Sequence, residues 1–253
     1  MKNIAVKIMY DGSNYHGWQI QKNGITVQER MESVLSDITG ERVSVCGCSR
    51  TDSGVHALEY VFNFKSETGI PVQKLPYAIN THLRNDGIAA VAACGVSEGF
   101  NSRFSSKGKR YVYKIQNSKV LNPFTAKYSW HVPYRLNIDA MMNAAGSFIG
   151  THDFTAFMAA GGSQKTTVRT VRECDVRLCG EMVEITVAAD AFLYNMVRII
   201  SGTLLEIGAG RIAEEDLQGI IKSCKREMAG MTAPPQGLFL SKVFYDDKDI
   251  CFE

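Results

Sequence analysis

Residues 43–64 read VSVCGCSRTDSGVHALEYVFNF. Apolar side chains alternate along 43–48 and again along 58–64, and a polar centre separates the two runs. A period of two marks a strand with one buried face, so the pattern predicts two strands joined by a charged loop. That loop packs Arg50, Asp52 and His56 into seven positions around Gly54. A loop held between two strands is a rigid place from which to present side chains to a cleft. Arg50 and Asp52 are two residues apart, so an extended backbone turns both to one side.

The same reading extends outward in both directions. Ile4, Val6, Ile8 and Tyr10 alternate with less apolar neighbours and predict an earlier strand. Thr26 followed three residues later by Glu29 is a capping box. It opens a helix with Val27, Met31, Val34, Leu35 and Ile38 on one face, stopped by Gly40. Pro76 fits the first turn of a short helix through Leu83, and residues 88–94 read as a strand. Farther on, residues 109–116 alternate. Asn137 caps a helix expected to bury Met141, Met142, Ala145, Phe148 and Ile149. Strands over 168–178 and 182–188 meet at a Gly180 turn. A helix is expected from about Phe192 to Ile207, with Arg198 at the edge of its apolar stripe, and another carries Leu217, Ile220, Ile221 and Cys224. The order strand, helix, paired strands occurs in both halves. It predicts an α+β protein of two similar lobes, residues 1–104 and 105–253, with a cleft between them.

Composition narrows the function. The chain has 253 residues, 45% hydrophobic and 21% charged, which suits a soluble globular protein with a substantial core. Its net charge of +2 is too small to hold a polyanion by global charge. A basic face must come from local clusters: Lys107, Lys109 and Arg110; Lys165, Arg169 and Arg172; Lys222, Lys225 and Arg226. The seven cysteines follow no secretory leader, so reduced thiols in the cytoplasm are expected. Cys46-x-Cys48 is too close for a zinc knuckle and no second pair follows it, so no metal is expected. Gly208-Ala209-Gly210 follows a helix and not a strand, which argues against dinucleotide binding. No Walker A loop or nucleophile elbow is present.

The loop resembles the Arg-Thr-Asp-x-Gly-Val-His-Ala motif of the TruA family of tRNA pseudouridine synthases. The resemblance extends to Tyr10-Asp11-Gly12-Ser13-Asn14-Tyr15-His16-Gly17-Trp18-Gln19, Arg103-Phe104, Arg110-Tyr111-Val112-Tyr113 and His152-Asp153-Phe154. It continues through residues 192–198, FLYNMVR, and 233–238, APPQGL. These blocks keep the family's order and cover nearly the whole chain. Ser49 replaces the family's usual glycine before the arginine, a change that restricts backbone angles there.

The resemblance implies two lobes whose sheets form one continuous, mainly antiparallel sheet flanked by helices, with a central RNA-binding cleft. It implies isomerisation of uridine to pseudouridine in the anticodon stem-loop of tRNA, at tRNA positions 38–40, without a cofactor. Asp52 is then the nucleophile, Tyr111 the residue against the flipped uracil, and Arg198 the cation paired with the aspartate. Attack at C1′, attack at C6 and a glycal route stay open. Arg50, Lys109 and Arg110 are expected to bind substrate, as is His56, in its case as a hydrogen-bonding anchor of the loop and not a general base. His152-Asp153-Phe154 is a structural corner in the family. The expected partners are tRNA and a second copy of the chain, in the cytoplasm, with no membrane. A catalytically silent RNA-binding protein on the same scaffold is the competing reading, and the presence of Asp52, Tyr111 and Arg198 disfavours it.

Overall fold

A computed structural model describes residues 1–162 and 164–252. In chain order its elements begin with β1 (Lys2–Tyr10), α1 (Val27–Thr39), β2 (Val45–Gly47), β3 (His56–Ser66), α2 (Leu75–His82) and β4 (Ile88–Val96). They continue with β5 (Gly108–Asn117), β6 (Trp130–Val132), α3 (Ile138–Ala145), β7 (Gly150–Asp153), β8 (Val168–Cys179) and β9 (Met182–Ala189). α4 (Met196–Gly208), α5 (Leu217–Ser223) and β10 (Leu238–Phe244) complete the order. The fold class is α+β, as expected. Within each of its two compact units the strand pairs are antiparallel except β3 with β10 and β5 with β6.

The chain divides into two compact units. Met1–Gly108 forms the first together with the residues from Phe239 on, and Lys109–Leu238 forms the second. The residues from Phe239 on, placed by sequence reading in a lobe of residues 105–253, lie with the first unit in this structure. Strand β10 comes back to lie parallel to β3, with Phe239 beside His56 and Leu240 beside Ala57. No local pattern announces such a pairing, because a short apolar strand fits any sheet edge of the right hydrophobicity.

In the first unit the strand order is β4-β1-β3-β10, and β2 also pairs with β3. Ile4, Val6 and Ile8 are fully buried. Helix α1 begins as its capping box predicts: the Thr26 hydroxyl accepts from Glu29 N–H at 3.3 Å. It ends at Gly40, whose φ of +70° closes the last turn without a Cβ penalty. The strand before the charged loop is shorter than its alternation suggests, only Val45–Gly47, whereas β3 starts inside the motif at His56.

In the second unit the order is β5-β9-β8-β7, with β6 on β5. Asn137 caps α3 by accepting from Ala140 N–H at 3.1 Å. Met141 and Ala145 are buried as expected, but Met142 and Ile149 are exposed. The helix breaks into a 3-10 turn over Gly146–Phe148, which rotates the later residues off the α-helical register. Cys224 also faces solvent, because it is the left-handed cap of α5 and not a member of its stripe. Helix α4 starts four residues later than predicted. Asn195 precedes it at φ +60°, a left-handed conformation that no helix continues through. From Met196 to Gly208 that helix is buried almost all round.

Candidate active-site elements

The Asp52 loop is laid directly onto the N-terminal block. Trp18 N–H donates to the Thr51 carbonyl at 3.1 Å, and Gly54 N–H donates to the Tyr15 carbonyl at 3.3 Å. The Ser53 hydroxyl reaches that same carbonyl at 3.3 Å. The Tyr10 and Thr51 hydroxyls lie 2.8 Å apart in the interior. Thr51 is buried, Arg50 exposed and Asp52 half-buried, the alternation expected of an extended approach. Two glycines make this fit possible. A Cβ on Gly12 would stand 2.0 Å from the Val55 carbonyl oxygen. One on Gly17 would stand 2.4 Å from the Thr51 oxygen, where φ is already +80°. Two blocks far apart in sequence are thus one structural object.

Serine at position 49 costs no backbone strain. Among the described residues the only non-glycines with positive φ are Asn195 and Cys224. The Tyr60 hydroxyl donates to the Ser49 carbonyl, and the Tyr60 ring stacks on Trp18 at 4.1 Å. The approach to Arg50 is therefore braced from below by two aromatic rings.

His56 is enclosed beneath the loop, its side chain only 2% exposed. The ring stacks on Phe239 at 4.7 Å, and Nδ1 lies 3.1 Å from both Gly12 N–H and an Asp11 carboxylate oxygen. One nitrogen cannot accept from an amide and donate to a carboxylate at once. The amide has a fixed hydrogen and an enclosed position, so we assign Nδ1 as its acceptor, with the proton on Nε2.

In the second unit, β5 presents its faces as the sequence predicts. Tyr111, Tyr113 and Ile115 point into the core, opposite Val187, Ile185 and Val183 of β9. The Tyr111 ring meets Phe192 edge-on at 5.0 Å. The Tyr113 hydroxyl donates to the Pro234 carbonyl at 2.7 Å, and burial pushes its phenol well above the usual range. Arg110 belongs to the opposite face. It and Glu173 both register with Ala188, so the guanidinium bridges to Glu173 across the intervening strand at 2.8 Å. Lys114 faces Glu184 on that same ion-pair face at 3.4 Å. Arg110 thus has a carboxylate partner within its own unit, and it does not share a face with Tyr111. Lys109 does share that face and is half-buried.

Arg198 is more than a residue at the edge of a stripe. Its Nε donates to the Ala233 carbonyl at 2.7 Å, and its own carbonyl accepts from Ala233 N–H at 3.1 Å. Nη1 donates to the Asn195 side-chain oxygen at 2.8 Å. Residues 230–233 lie against α4 because two glycines allow it. A Cβ on Gly202 would be 1.8 Å from the Met231 oxygen, and one on Gly230 would be 2.6 Å from Thr203 Cα. Gly230 N–H donates to the Thr203 hydroxyl at 2.9 Å. Sequence reading did not mark Gly202 or Gly230, and took Asn195 only as a member of the 192–198 block. The only available signal was a glycine and a threonine inside an otherwise aliphatic helix, which points to close backbone approach.

The three basic clusters are only partly available to a polyanion. Lys107 pairs with Asp246 at 3.1 Å. Arg169 is buried, with Nη1 on the Val168 carbonyl at 2.6 Å. Arg226 turns inward to the Ala229 and Gly230 carbonyls and the Thr232 hydroxyl, at 2.9 to 3.3 Å. Burial lowers the pKa of its guanidinium. His152-Asp153-Phe154 is a corner: Asp153 accepts from the Thr155 amide and hydroxyl, which holds its carboxyl below the usual range, and Phe154 is fully buried. Among the described residues no three His, Cys, Asp or Glu side chains gather as a metal-binding group, and no helix is long and apolar enough to cross a membrane.

Comparison with known proteins yields one consistent match. A family model described as tRNA pseudouridine synthase matches residues 6–105 and 144–246. The chain is 50% identical over 245 residues to the tRNA pseudouridine synthase A of Thermoanaerobacter sp. strain X514, covering 97% of this chain and 100% of that protein. The protein of the same name from Acetivibrio thermocellus is 46% identical over 245 residues, with the same coverage. The tRNA pseudouridine synthase A 2 of Clostridium tetani is 46% identical over 247 residues, covering 97% and 99%.

Proposed function

Because the chain belongs to the tRNA pseudouridine synthase family, we propose that it isomerises uridines in the anticodon stem-loop of tRNA, with Asp52 as the nucleophile. The reaction breaks the bond between ribose C1′ and uracil N1 and forms one from C1′ to C5. The proton lost from C5 is balanced by one gained at N1, so neither a redox partner nor a phosphate donor is consumed. A protein that performs it must expose the nucleotide, supply a nucleophile and retain the detached base.

One observation carries this reading. A half-buried aspartate sits on a loop fixed to the N-terminal block by amide, hydroxyl and glycine contacts, beside an exposed arginine. A carboxylate attacks well only when its geometry is set in advance and its hydration is limited. In this proposal Tyr111 lies against the flipped uracil and Arg198 supplies the cation that keeps the Asp52 carboxylate ionised. Arg50 and Lys109 bind RNA phosphate. The working form is a homodimer in the cytoplasm, in which two copies supply the basic surface that a chain of net charge +2 lacks.

The test is Asp52→Asn. It should fold and bind tRNA as the parent does while losing turnover by orders of magnitude. Near-parental activity in that variant would remove Asp52 from the chemistry. A map of pseudouridines in host tRNA with and without the protein would then test the anticodon assignment. An unchanged map would favour the silent RNA-binding reading.

A further inference from the structure

The turn over residues 101–105 is built with more care than an exposed loop requires, and it displays an aromatic ring to solvent. The Asn101 side-chain oxygen accepts from Arg103 N–H at 3.0 Å and from Phe104 N–H at 3.1 Å. Ser105 N–H donates to the Asn101 carbonyl at 2.8 Å, and the Ser105 hydroxyl accepts from Asn101 N–H at 3.2 Å. Ser102, fully buried, takes the Asn63 side-chain oxygen on its N–H at 2.9 Å and the Tyr245 hydroxyl on its carbonyl at 2.6 Å. Its own hydroxyl donates to the Cys46 carbonyl on β2. Phe104 nevertheless stands 79% exposed, with the Arg103 guanidinium 5.6 Å from its ring centre.

A large apolar ring costs free energy in water, and a turn wired this tightly cannot fold it away. Phe124 and Tyr77 are comparably exposed, but Phe124 lies beside exposed Val120 and Leu121, and Tyr77 lies on α2. Phe104 combines a guanidinium at its ring with a hydrogen bond from its turn to β2, the strand that leads into Arg50 and Asp52. A flat ring and a cation on one rigid turn match an unpaired base and its phosphate.

We propose that Phe104 is a stacking platform for an unpaired nucleobase of the RNA substrate, with Arg103 moving from the ring to the adjoining phosphate. This rests on the tRNA-binding part of the function proposed above. Phe104 is here a positioning residue, since it holds RNA without touching the reacting atoms.

The experiment uses the full chain and three proteins: parent, Phe104→Ala and Phe104→Trp. Phe104→Ala should keep the parent's thermal midpoint and bind tRNA about 5- to 150-fold more weakly, the range that loss of one base–aromatic stack gives. Phe104→Trp should bind as the parent does. Its added emission should be quenched by tRNA and by single-stranded oligouridylate, but not by heparin, a polyanion without bases. Parental tRNA affinity in Phe104→Ala, or equal quenching by heparin, would overturn the proposal. So would a change in molecular mass of Phe104→Ala by light scattering, which would place the ring in a protein interface. Binding and quenching without pseudouridine formation by the parent would defeat only the proposed activity. A parent that binds no tRNA would defeat both.

Discussion

Tyr111 and Tyr113 stand two residues apart on one strand and should answer the same mutation differently. Tyr113→Phe deletes a buried hydrogen bond and leaves the Pro234 carbonyl without that donor, at a cost of about 1–3 kcal/mol. Tyr111→Phe should lower kcat, if its hydroxyl relays a proton to the flipped base. Paired measurements of unfolding and single-turnover rate separate the two. Tyr113 also predicts an alkaline weakness. Burial raises its folded pKa above the roughly 10 of an unfolded tyrosine, so the stability it contributes is intact below that pH and is lost as pH rises beyond it. Burial, with Asp86 nearby, pushes Tyr15 up to about 12, with the same sign. Denaturant titrations from neutral pH upward should show falling stability above about pH 10, with a shallower fall in Tyr113→Phe. At this scale the sequence was readable where alternation sets which side a residue faces, as along β5. It was not readable for Arg110, because the acid that pairs with it is 63 residues away.

The elements were legible where their ends carry chemistry. Thr26 and Gly40 bound α1, and Asn137 opens α3, each through a hydrogen bond or backbone angle that a residue type announces. Where periodicity alone set an end, the end moved: apolar spacing runs on past Asn195 toward Phe192, but the left-handed Asn195 starts α4 later. Two substitutions contrast these cases. Thr26→Ala should cost about 1 kcal/mol of stability, read from the unfolding midpoint. Gly202→Ala should destabilise by about 1–3 kcal/mol, because its methyl meets the Met231 oxygen, and should also lower kcat. The same segment holds Ala233 against Arg198. A Gly202→Ala enzyme of parental stability and rate would show that residues 230–233 yield without disturbing the arginine.

For the molecule as a whole, tRNA affinity should fall steeply with salt, because phosphate contacts release counterions. The fall should still be less steep than a count of all the basic residues would give, since Arg110, Arg169 and Arg226 are engaged internally. A binding constant that does not change with salt would contradict this. Light scattering should report a dimer at the concentration where tRNA is modified, and a fully active monomer there would remove that part of the proposal. The two-lobed α+β plan was legible because its strands and helices repeat in order, but the parallel pairing of β10 with β3 was not, since distant pairing has no local sign. That pairing has a consequence for how the protein is made. The first unit is interrupted by the whole of the second, so a ribosome finishes the contiguous stretch Lys109–Leu238 before it delivers the strand that covers His56. The second unit has all its residues before the first does, unlike a chain of sequential domains. The nascent chain carries an uncovered His56 and an incomplete Asp52 loop until β10 leaves the exit tunnel.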